Sequence, residues 1–220
     1  LVVSAVGIAM IVGVFLGSAA ARKPNSLLDN AVSAVSLIAY STPMFLLGLM
    51  LVVLFSINLG WLPTGGFQTV GRDLSGFAAI GDMARHAILP VLTLSFFYAG
   101  IYARLVRASI LEVSSLDFVR TARAKGLTER TVRYRHVLRN ALLPVVTVAG
   151  VQLGSLLGGS VVVEMVFNWP GLGRLAFEAI MARDLNVLLG ILFLSSILVV
   201  LINILMDILY VILDPRIQKS

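Results

Sequence analysis

A basic segment, residues 117 to 144, holds the side chains of this chain best suited to bind a charged partner. Its sequence is DFVRTARAKGLTERTVRYRHVLRNALLP, and it lies between two long apolar runs. A loop that only joins two membrane helices needs a few residues, not about two dozen patterned ones. Helical spacing of apolar groups, with a breaker at Gly126, predicts a short helix on the membrane face onto which something docks. These apolar groups are Phe118, Ala122 and the Lys125 stem, then Val132, Leu138 and Leu142.

Two carboxylates stand inside or beside apolar runs, where an ionisable group is a functional candidate by default. Glu164 ends one run, and it is interpreted either as a gate or pathway residue or as an interface residue, solvated by headgroups or paired with Arg174. Asp207 lies four residues after Asn203, on the same helix face. It is interpreted either as a proton relay or as a hydrogen-bonding group toward a neighbouring helix.

No catalytic constellation is visible in the sequence. The chain has no Cys, and its two histidines, His86 and His136, lie too far apart to be a ligand pair. We interpret His86 as a residue at the membrane entry and His136 as part of the basic segment. A Walker A loop, a nucleophile elbow and a zinc-type His-Glu-x-x-His motif are all missing. The sequence therefore predicts a protein that is not an enzyme and that holds no cofactor or metal of its own.

Composition indicates an all-α polytopic membrane protein. The chain is 59% hydrophobic and 13% charged, and its mean hydropathy is +0.99. Runs of about 20 apolar residues suit helices that cross about 30 Å of hydrocarbon, and barrel-type alternation is absent. We expect Pro43 to kink the second of the runs. About five spans are predicted, at residues 1–20, 31–57, 87–106, 141–163 and 187–213.

Lysine and arginine set the predicted orientation, because they accumulate in cytoplasmic loops. Thirteen of the 17 basic residues lie in the loop at 21–30, the region 104–139 and the C-terminal tail. The other four are Arg72, Arg85, Arg174 and Arg183. We therefore expect a cytoplasmic C-terminus, and the pI of about 10.2 reflects membrane topology, not nucleic-acid binding. Five spans ending inside put residue 1 outside, and the absence of a start Met or signal peptide predicts a fragment.

The basic segment resembles the cytoplasmic loop of binding-protein-dependent ABC transporter permeases. "RTARAKGL" followed by "RHVLRNALLPVVT" is similar to the dipeptide, oligopeptide and nickel branch of that family. The broader pattern is Glu-Ala-Ala, three residues, then Gly, and here its first places hold Arg120, Thr121 and Ala122. The Glu is absent, as is usual in the peptide branch. The resemblance implies a coupling-helix region over 117–135, docked onto an ATPase through Arg120, Thr121, Ala122, Arg123, Ala124, Lys125 and Gly126.

Two segments are predicted on the external side. "VVVEMVFNWPGLGRL" is similar to the family's "VVVE…F…PGLG" signature, and Pro170, Gly171 and Gly173 are expected to break the helix there. A short amphipathic helix over 174–183 would complete an external broken-helix element over the outer mouth. Residues 58–86 are interpreted as a loop that meets the substrate-binding protein, or as an interfacial loop with Trp61 as a belt residue. Gly126 is expected to permit either a turn or a close approach.

Small residues along the predicted fourth span indicate close helix packing, either with a partner permease or within the subunit. Gln152, on the same span, is expected to face a cavity or another helix. The gate and pathway candidates are thus Glu164, Pro170, Gly171, Gly173 and Gln152. The small residues are Gly150, Gly154, Ser155, Gly158, Gly159 and Ser160.

The resemblance implies one permease domain over residues 1–220, with one further N-terminal helix and an external segment in the full protein. It implies a prokaryotic inner or plasma membrane, a second related permease, two ATPase subunits that bind ATP and Mg, and a substrate-binding protein. The substrate could be a dipeptide, a longer peptide, a glutathione-like peptide or a nickel chelate. An ion-gradient-driven transporter or channel is the alternative, and it would need ionisable groups at the midplane. A membrane anchor for a cytoplasmic complex is a third interpretation.

Overall fold

The computed structural model describes residues 1–71, 75–157 and 160–213, and all regular structure in these ranges is helical. The predicted all-α class is confirmed. In chain order the helices are α1 (Val2–Ala20), α2 (Leu27–Ser41), α3 (Met44–Leu51, with π-helical turns over Val52–Asn58), α4 (Phe77–Ser114), α5 (Asp117–Ala124), α6 (Glu129–Thr131, with π-helical turns over Val132–Leu138 and a last turn at Arg139–Ala141), α7 (Leu143–Leu157), α8 (Val161–Val166), α9 (Leu172–Ala182) and α10 (Leu185–Leu213).

Four helical stretches in the described part of the chain are long and apolar enough to cross a membrane. They are Val2–Ala20, Phe77–Ser114, Glu129–Gly154 and Leu185–Met206, and the pair α2 and α3 makes a fifth if it counts as one broken span. A helix satisfies its own backbone hydrogen bonds, which is why such apolar runs fold this way in lipid. Only 6% of the apolar window in α10 is buried, so this helix presents its side chains outward, as a lipid-facing helix does.

The predicted second span is broken, not merely kinked. Helix α2 ends at Ser41, α3 begins at Met44, and their axes differ by 102°. Pro43 lies at the break with φ −56° and ψ 131°. Its ring removes a backbone donor and disfavours helical geometry in the residue before it, so the chain turns sharply at this point.

The third and fourth spans have different limits from those predicted. Helix α4 has 38 residues and begins at Phe77, so the expected loop at 58–86 is ten residues shorter. Its first turns carry Asp82 and His86, whose polarity lowers the local hydropathy. The fold nevertheless pairs the Asp82 carboxylate, which accepts bonds from the Thr69 N–H (2.7 Å) and hydroxyl (2.6 Å). The fourth span starts earlier, at Glu129, and α7 ends at Leu157. Pro144 is tolerated because it is the second residue of α7.

The chain forms two compact units, each built from several segments. The first unit comprises Leu1–Gly7, Thr42–Phe96 and Gln152–Ile202, and its buried side chains include Leu89, Leu94, Val163 and Phe167. The second comprises Ile8–Ser41, Phe97–Val151 and Asn203–Ser220, and buries Tyr102, Val106, Val119, Val132 and Val145.

Helix α1 packs closely on α4 in the second unit through a pair of glycines that the sequence analysis missed. A Cβ at Gly13 would lie 2.5 Å from Cβ of Tyr102, and one at Gly17 would lie 2.5 Å from the carbonyl oxygen of Ala103. The Gly13 and Gly17 spacing is the small-xxx-small pattern of membrane helix packing, so the signal was present in the sequence.

Candidate functional site

The basic segment folds as two helices joined by a tight turn, in the second unit. Helix α5 ends at Ala124, and Gly126, two residues later, lies in the left-handed region, at φ +77°. The Gly126 N–H donates to the carbonyl of Arg123 (2.9 Å), and the Leu127 N–H donates to that of Ala122 (3.4 Å). These two bonds form a Schellman motif, which satisfies carbonyls at a helix end and strongly favours glycine at this place. A Cβ on Gly126 would meet no atom within 4 Å, so Gly126 serves the turn and not a close approach.

The next helix begins two residues later with a side-chain cap. The Thr128 hydroxyl accepts a bond from the Thr131 N–H (3.3 Å), which satisfies a free donor in the first turn of α6. Glu129 in that turn pairs with Arg123 across the break, with 2.9 Å between Nε and Oε1. The two helices are therefore tied by backbone, cap and ion pair within a few residues.

Six of the seven predicted docking residues are exposed. They are Arg120, Thr121, Arg123, Ala124, Lys125 and Gly126. The seventh prediction, Ala122 as a surface residue, is wrong, because Ala122 is 6% exposed and packs inward together with the fully buried Val119. Phe118, expected on the apolar face, is 42% exposed. Val119 and Ala122 are three residues apart and therefore share one side of the helix. This side packs against the protein.

Glu164 lies at the centre of the broken element in the first unit. Its carboxylate is 5% exposed and accepts three hydrogen bonds: from the Ser160 N–H (3.2 Å), the Ser160 hydroxyl (3.2 Å) and the Arg174 N–H (2.8 Å). Of the two interpretations of Glu164, the interface one is therefore wrong as to solvation by headgroups. It is also wrong as to an ion pair, because the Arg174 guanidinium bonds to Glu178 (2.7 Å) and Asn168 instead.

The carboxylate of Glu164 organises the start of α9. The Arg174 N–H is one of the first-turn donors that a helix leaves unsatisfied, and a negative charge at this end of a helix is stabilising. Gly171 lies directly against the carboxylate, and a Cβ at this position would collide with Glu164 Cδ. Pro170 and Gly171 lie in the break as predicted, whereas Gly173 is inside α9, where a Cβ would come within 2.8 Å of Val161 Cγ2. The predicted helix over 174–183 is observed as Leu172–Ala182.

The loop between α3 and α4 and the broken element pack together within the first unit. The Gly66 N–H donates to the carbonyl of Phe167 (2.8 Å), and the Phe67 and Trp169 rings make an edge contact at 5.2 Å between centroids. Trp61 is 60% exposed and lies 5.9 Å from the ring of Phe55. The loop thus rests on the break through backbone and aromatic contacts.

The remaining candidates that the structure describes lie on several different helices. Gln152 is half-buried in α7, and His86 is buried with its Nδ1 2.9 Å from the Asp82 carbonyl. His136 lies in the π-helical turns of α6, within the basic segment. Asn203 is exposed on α10. The side chain of Asp207 lies outside the described residues.

The glycine row on α7 packs partly within this chain. A Cβ at Gly150 would come within 2.7 Å of Met206 in the second unit, and one at Gly154 would lie 3.9 Å from Val199 in the first. The close contact at Gly150 therefore favours the interpretation that these small residues pack within the subunit. Gly158, Gly159 and the side chain of Ser155 lie outside the described residues, whereas Ser160 is a partner of Glu164.

One buried ion pair was missed by the sequence analysis. Asp29 is 1% exposed, and its carboxylate accepts bonds from the Arg107 guanidinium, at 2.7 Å from Nη2, and from the Asn25 N–H (2.8 Å). Ser26 and Asp29 form a Ser-x-x-Asp pattern at the start of α2, and that signal could have located the helix start. The Arg107 partner is 78 residues away, so no local pattern announces it.

Comparison with known proteins places the chain in a family. The family described as "Binding-protein-dependent transport system inner membrane component" matches residues 13–219. The oligopeptide transport system permease protein AppB of Bacillus subtilis (strain 168) is 41% identical over 211 residues, which are 96% of this chain and 66% of that protein. The di/tripeptide transport system permease protein DppB of Pseudomonas aeruginosa (strain UCBPP-PA14) is 43% identical, over 94% of this chain and 66% of its own length.

The fold has a solved counterpart in a methionine ABC transporter, MetNI, in an inward-facing crystal form. The TM-score is 0.62 at 22% identity, over 97% of this chain and 94% of that one. This chain spans about two thirds of the length of the curated relatives it matches. It belongs to the family of binding-protein-dependent transport system inner membrane components. The predicted class, a multi-pass membrane permease of ABC transporters, is confirmed.

Proposed function

We propose that this chain is the permease subunit of an ATP-driven importer of peptides, forming half of the translocation pathway. The proposal is supported by the names of the relatives, which are peptide permeases at 41% and 43% identity. The observation that carries the mechanism is the capped, exposed turn at Arg123 to Gly126. It joins α5 to α6, and α6 continues toward α7, so a force applied at the turn reaches an apolar spanning stretch.

Docking of an ATPase on this turn would account for its fixed backbone and its exposed side chains. The exposed residues Arg120, Thr121, Arg123, Ala124, Lys125 and Gly126 would form the contact surface, with Ala122 and Val119 anchoring it from behind. The Schellman motif and the Thr128 cap fix the backbone, so binding would cost little ordering entropy. The basic side chains would meet acidic groups of the ATPase or anionic headgroups.

Energy would come from partners. The sequence carries no Walker A motif, so ATP and Mg would be bound by two separate ATPase subunits, and this chain would not be an enzyme. Closure of the ATPases would push α5, and the pathway would switch from inward-open to outward-open. The distribution of Lys and Arg supports a cytoplasmic basic segment and C-terminus, in a prokaryotic cell whose inner membrane would hold the chain.

The external element would serve substrate entry. The loop that carries Gly66 and Phe67 packs on the break at Phe167 to Trp169, and Glu164 and Gly171 hold that break rigid. A substrate-binding protein would dock on this side and release its cargo, and a second, related permease would complete the pathway. Glu164 would shape the gate by positioning α9 and would not itself contact the cargo, because it is buried and fully engaged.

Transport by the reconstituted complex tests this proposal. The full-length permease, its partner permease, the ATPases and the binding protein are placed in liposomes, and uptake of labelled substrates is measured. The substrates are a dipeptide, a longer peptide, glutathione and a nickel chelate. We expect ATP-dependent peptide uptake that a protonophore leaves unchanged. Uptake that needs an ion gradient and no ATP would contradict the proposal and favour a secondary transporter.

A further inference from the structure

An apolar groove runs along α1 in the second unit and ends at a cluster of cationic and hydroxyl groups. Its apolar part encloses about 440 Å³ and is lined by Met10, Ile11, Val14, Phe15 and Leu138. The stripe uses residues three to four apart, so it follows one helix face. Ile11 is 71% exposed and Phe15 is 73% exposed, so this chain leaves the stripe uncovered.

The polar end continues the same groove. A second cavity of about 220 Å³ shares Ser18, Arg22, Tyr134 and Leu138 with the first and adds Arg133. Arg22 donates to the Tyr134 hydroxyl (3.3 Å) and is otherwise exposed, as is Arg133. Arg123 and Glu129 also line this cavity, but they pair with each other at 2.9 Å. The end of the groove therefore carries the two positive charges of Arg22 and Arg133, and Glu129, which pairs with Arg123, does not neutralise them.

Between the two parts lies a buried hydroxyl with unused hydrogen-bonding capacity. Ser18 lines both cavities, and its Oγ is buried with no hydrogen-bond partner among the described residues. Buried polar atoms are almost always paired, because leaving a buried hydrogen-bonding group without a partner is unfavourable. If the Ser18 side chain turns toward the groove, an acceptor supplied by a bound molecule would satisfy this hydroxyl.

We propose that the groove binds one anionic phospholipid. The groups along the groove occur in the order in which such a lipid presents its own: Arg22 with Arg133 for the phosphate, Ser18 one turn deeper for an ester carbonyl, then Phe15, Val14, Ile11 and Met10 for an acyl chain. The distance from Arg22 to Met10 is roughly 18 Å at 1.5 Å per residue, close to half of a 30 Å hydrocarbon core.

The chemistry favours a lipid over a protein helix. A helix would cover the apolar stripe, but its backbone acceptors are already used, so it could meet Ser18 and the two guanidinium groups only through polar and acidic side chains at matching positions. A phospholipid carries a phosphate, an ester carbonyl and an acyl chain in one molecule and in this order. Basic pockets between membrane helices at the cytoplasmic surface bind anionic headgroups. The assignment to the cytoplasmic leaflet rests on the proposed orientation, whereas binding of the lipid does not.

Native mass spectrometry of the purified full transporter tests the site. The complex in detergent is titrated with phosphatidylglycerol or phosphatidylcholine, and retained lipid is counted for wild type, for Arg22→Gln/Arg133→Gln, and for the control Arg130→Gln/Arg135→Gln. Both double variants remove two exposed positive charges, and neither changes Arg123. We expect tighter retention of phosphatidylglycerol and a loss of roughly fivefold for each groove arginine removed, with no loss in the control.

Two results would overturn the proposal in this experiment. One is equal retention of both lipids by wild type. The other is an equal loss in both double variants, which would indicate general surface charge. A cross-linking arm separates lipid from protein: Phe15→Cys is given a photoreactive label in native membranes. These 220 residues contain no Cys, and adducts of the transporter without the substitution serve as background. Adducts to phospholipid support the site, and an adduct to another helix of the transporter would contradict it. These results are independent of peptide uptake, so failure of this site and of the proposed function remain distinguishable.

Discussion

The α5–α6 turn and the α8–α9 break both connect two helices, but the charged groups are exposed at the turn and buried at the break. Each joins two helices through a few residues that include a glycine, and each has a carboxylate beside an arginine. At the turn, Arg123 and Glu129 are 44% and 64% exposed and the glycine has free space around it. At the break, Glu164 is buried, its bonds go to Ser160 and a backbone N–H, and Gly171 is pressed against it.

The difference shows where charge is available for a partner. Exposed ion pairs contribute about 0–1 kcal/mol, so the charges of the turn do little for the fold and remain free to bind. A buried carboxylate that loses its donors, or donors that lose it, costs far more. The break therefore uses its charge internally, and the turn offers its charge outward.

Replacing Gly171 by Ala is expected to have the largest effect on stability. The new Cβ would occupy the space of the Glu164 carboxylate, which cannot move without losing its bonds. Overpacking and a lost hydrogen bond together should cost about 3 kcal/mol, measured as the free energy of unfolding in mild detergent. Gly190→Ala is the matched control, since a Cβ there meets no atom within 4 Å. Equal stability of the two variants would contradict the packing described at the break.

Removing the carboxylate of Glu164 is expected to rank second. Glu164→Ala leaves the N–H groups of Ser160 and Arg174 without their acceptor, at a cost of about 1–3 kcal/mol. Glu164→Gln keeps one acceptor oxygen and should fall between Ala and wild type. Glu178→Ala removes a half-exposed carboxylate that pairs with Arg174, and should cost less than about 1 kcal/mol. If Glu178→Ala lowered the thermal unfolding temperature more than Glu164→Ala, the claim that Glu164 is the main stabilising carboxylate of the break would be contradicted.

At the turn, Gly126→Ala should destabilise by about 1–2 kcal/mol, because a Cβ is disfavoured at φ +77° even where space is free. Gly126→Asn is the informative companion, since Asn tolerates the left-handed region better. We expect ATPase co-purification to fall for Ala and to be largely retained for Asn. Similar loss for both variants would indicate that the glycine contacts the ATPase directly.

Charge reversal on exposed basic residues of α5 and of the turn should have the smallest effect on stability and a large effect on assembly. Lys125→Glu and Arg120→Glu change exposed side chains, so unfolding should shift by less than about 0.5 kcal/mol. Recovery of the ATPase in pull-down should nevertheless drop sharply, whereas Lys23→Glu, an exposed residue outside the turn, should leave it unchanged. A uniform response of all three variants would show that only net charge matters.

Local patterns predicted the turn better than the break. Gly126 after a basic helical stretch is a helix stop with a physical reason, and the structure has a Schellman motif there. Hydropathy located the apolar runs, yet it missed the start of α4, since Thr69, which bonds to the Asp82 carboxylate, lies 13 residues away. Helical spacing chose Phe118 in place of Val119, because both positions fit an apolar face with Ala122.

The break depended on contacts that no local pattern encodes. Pro170 and Gly171 marked its place, but only the fold shows that the Arg174 N–H, and not its guanidinium, meets Glu164. Asp29 and Arg107 illustrate the same limit, because a side chain 78 residues distant determines the burial of the carboxylate. Sequence therefore predicts where a helix stops more readily than what a buried charge contacts.

Replacing residues Arg120 to Gly126 by a Gly-Ser linker of equal length tests the central claim most directly. The full-length permease is purified from membranes with the intact or the replaced turn, together with its partner permease, and the recovered ATPase is measured. We predict that the ATPase is recovered only with the intact turn, while the two permeases stay associated in both cases. Equal recovery of the ATPase with both forms would contradict the account of the turn as the docking surface.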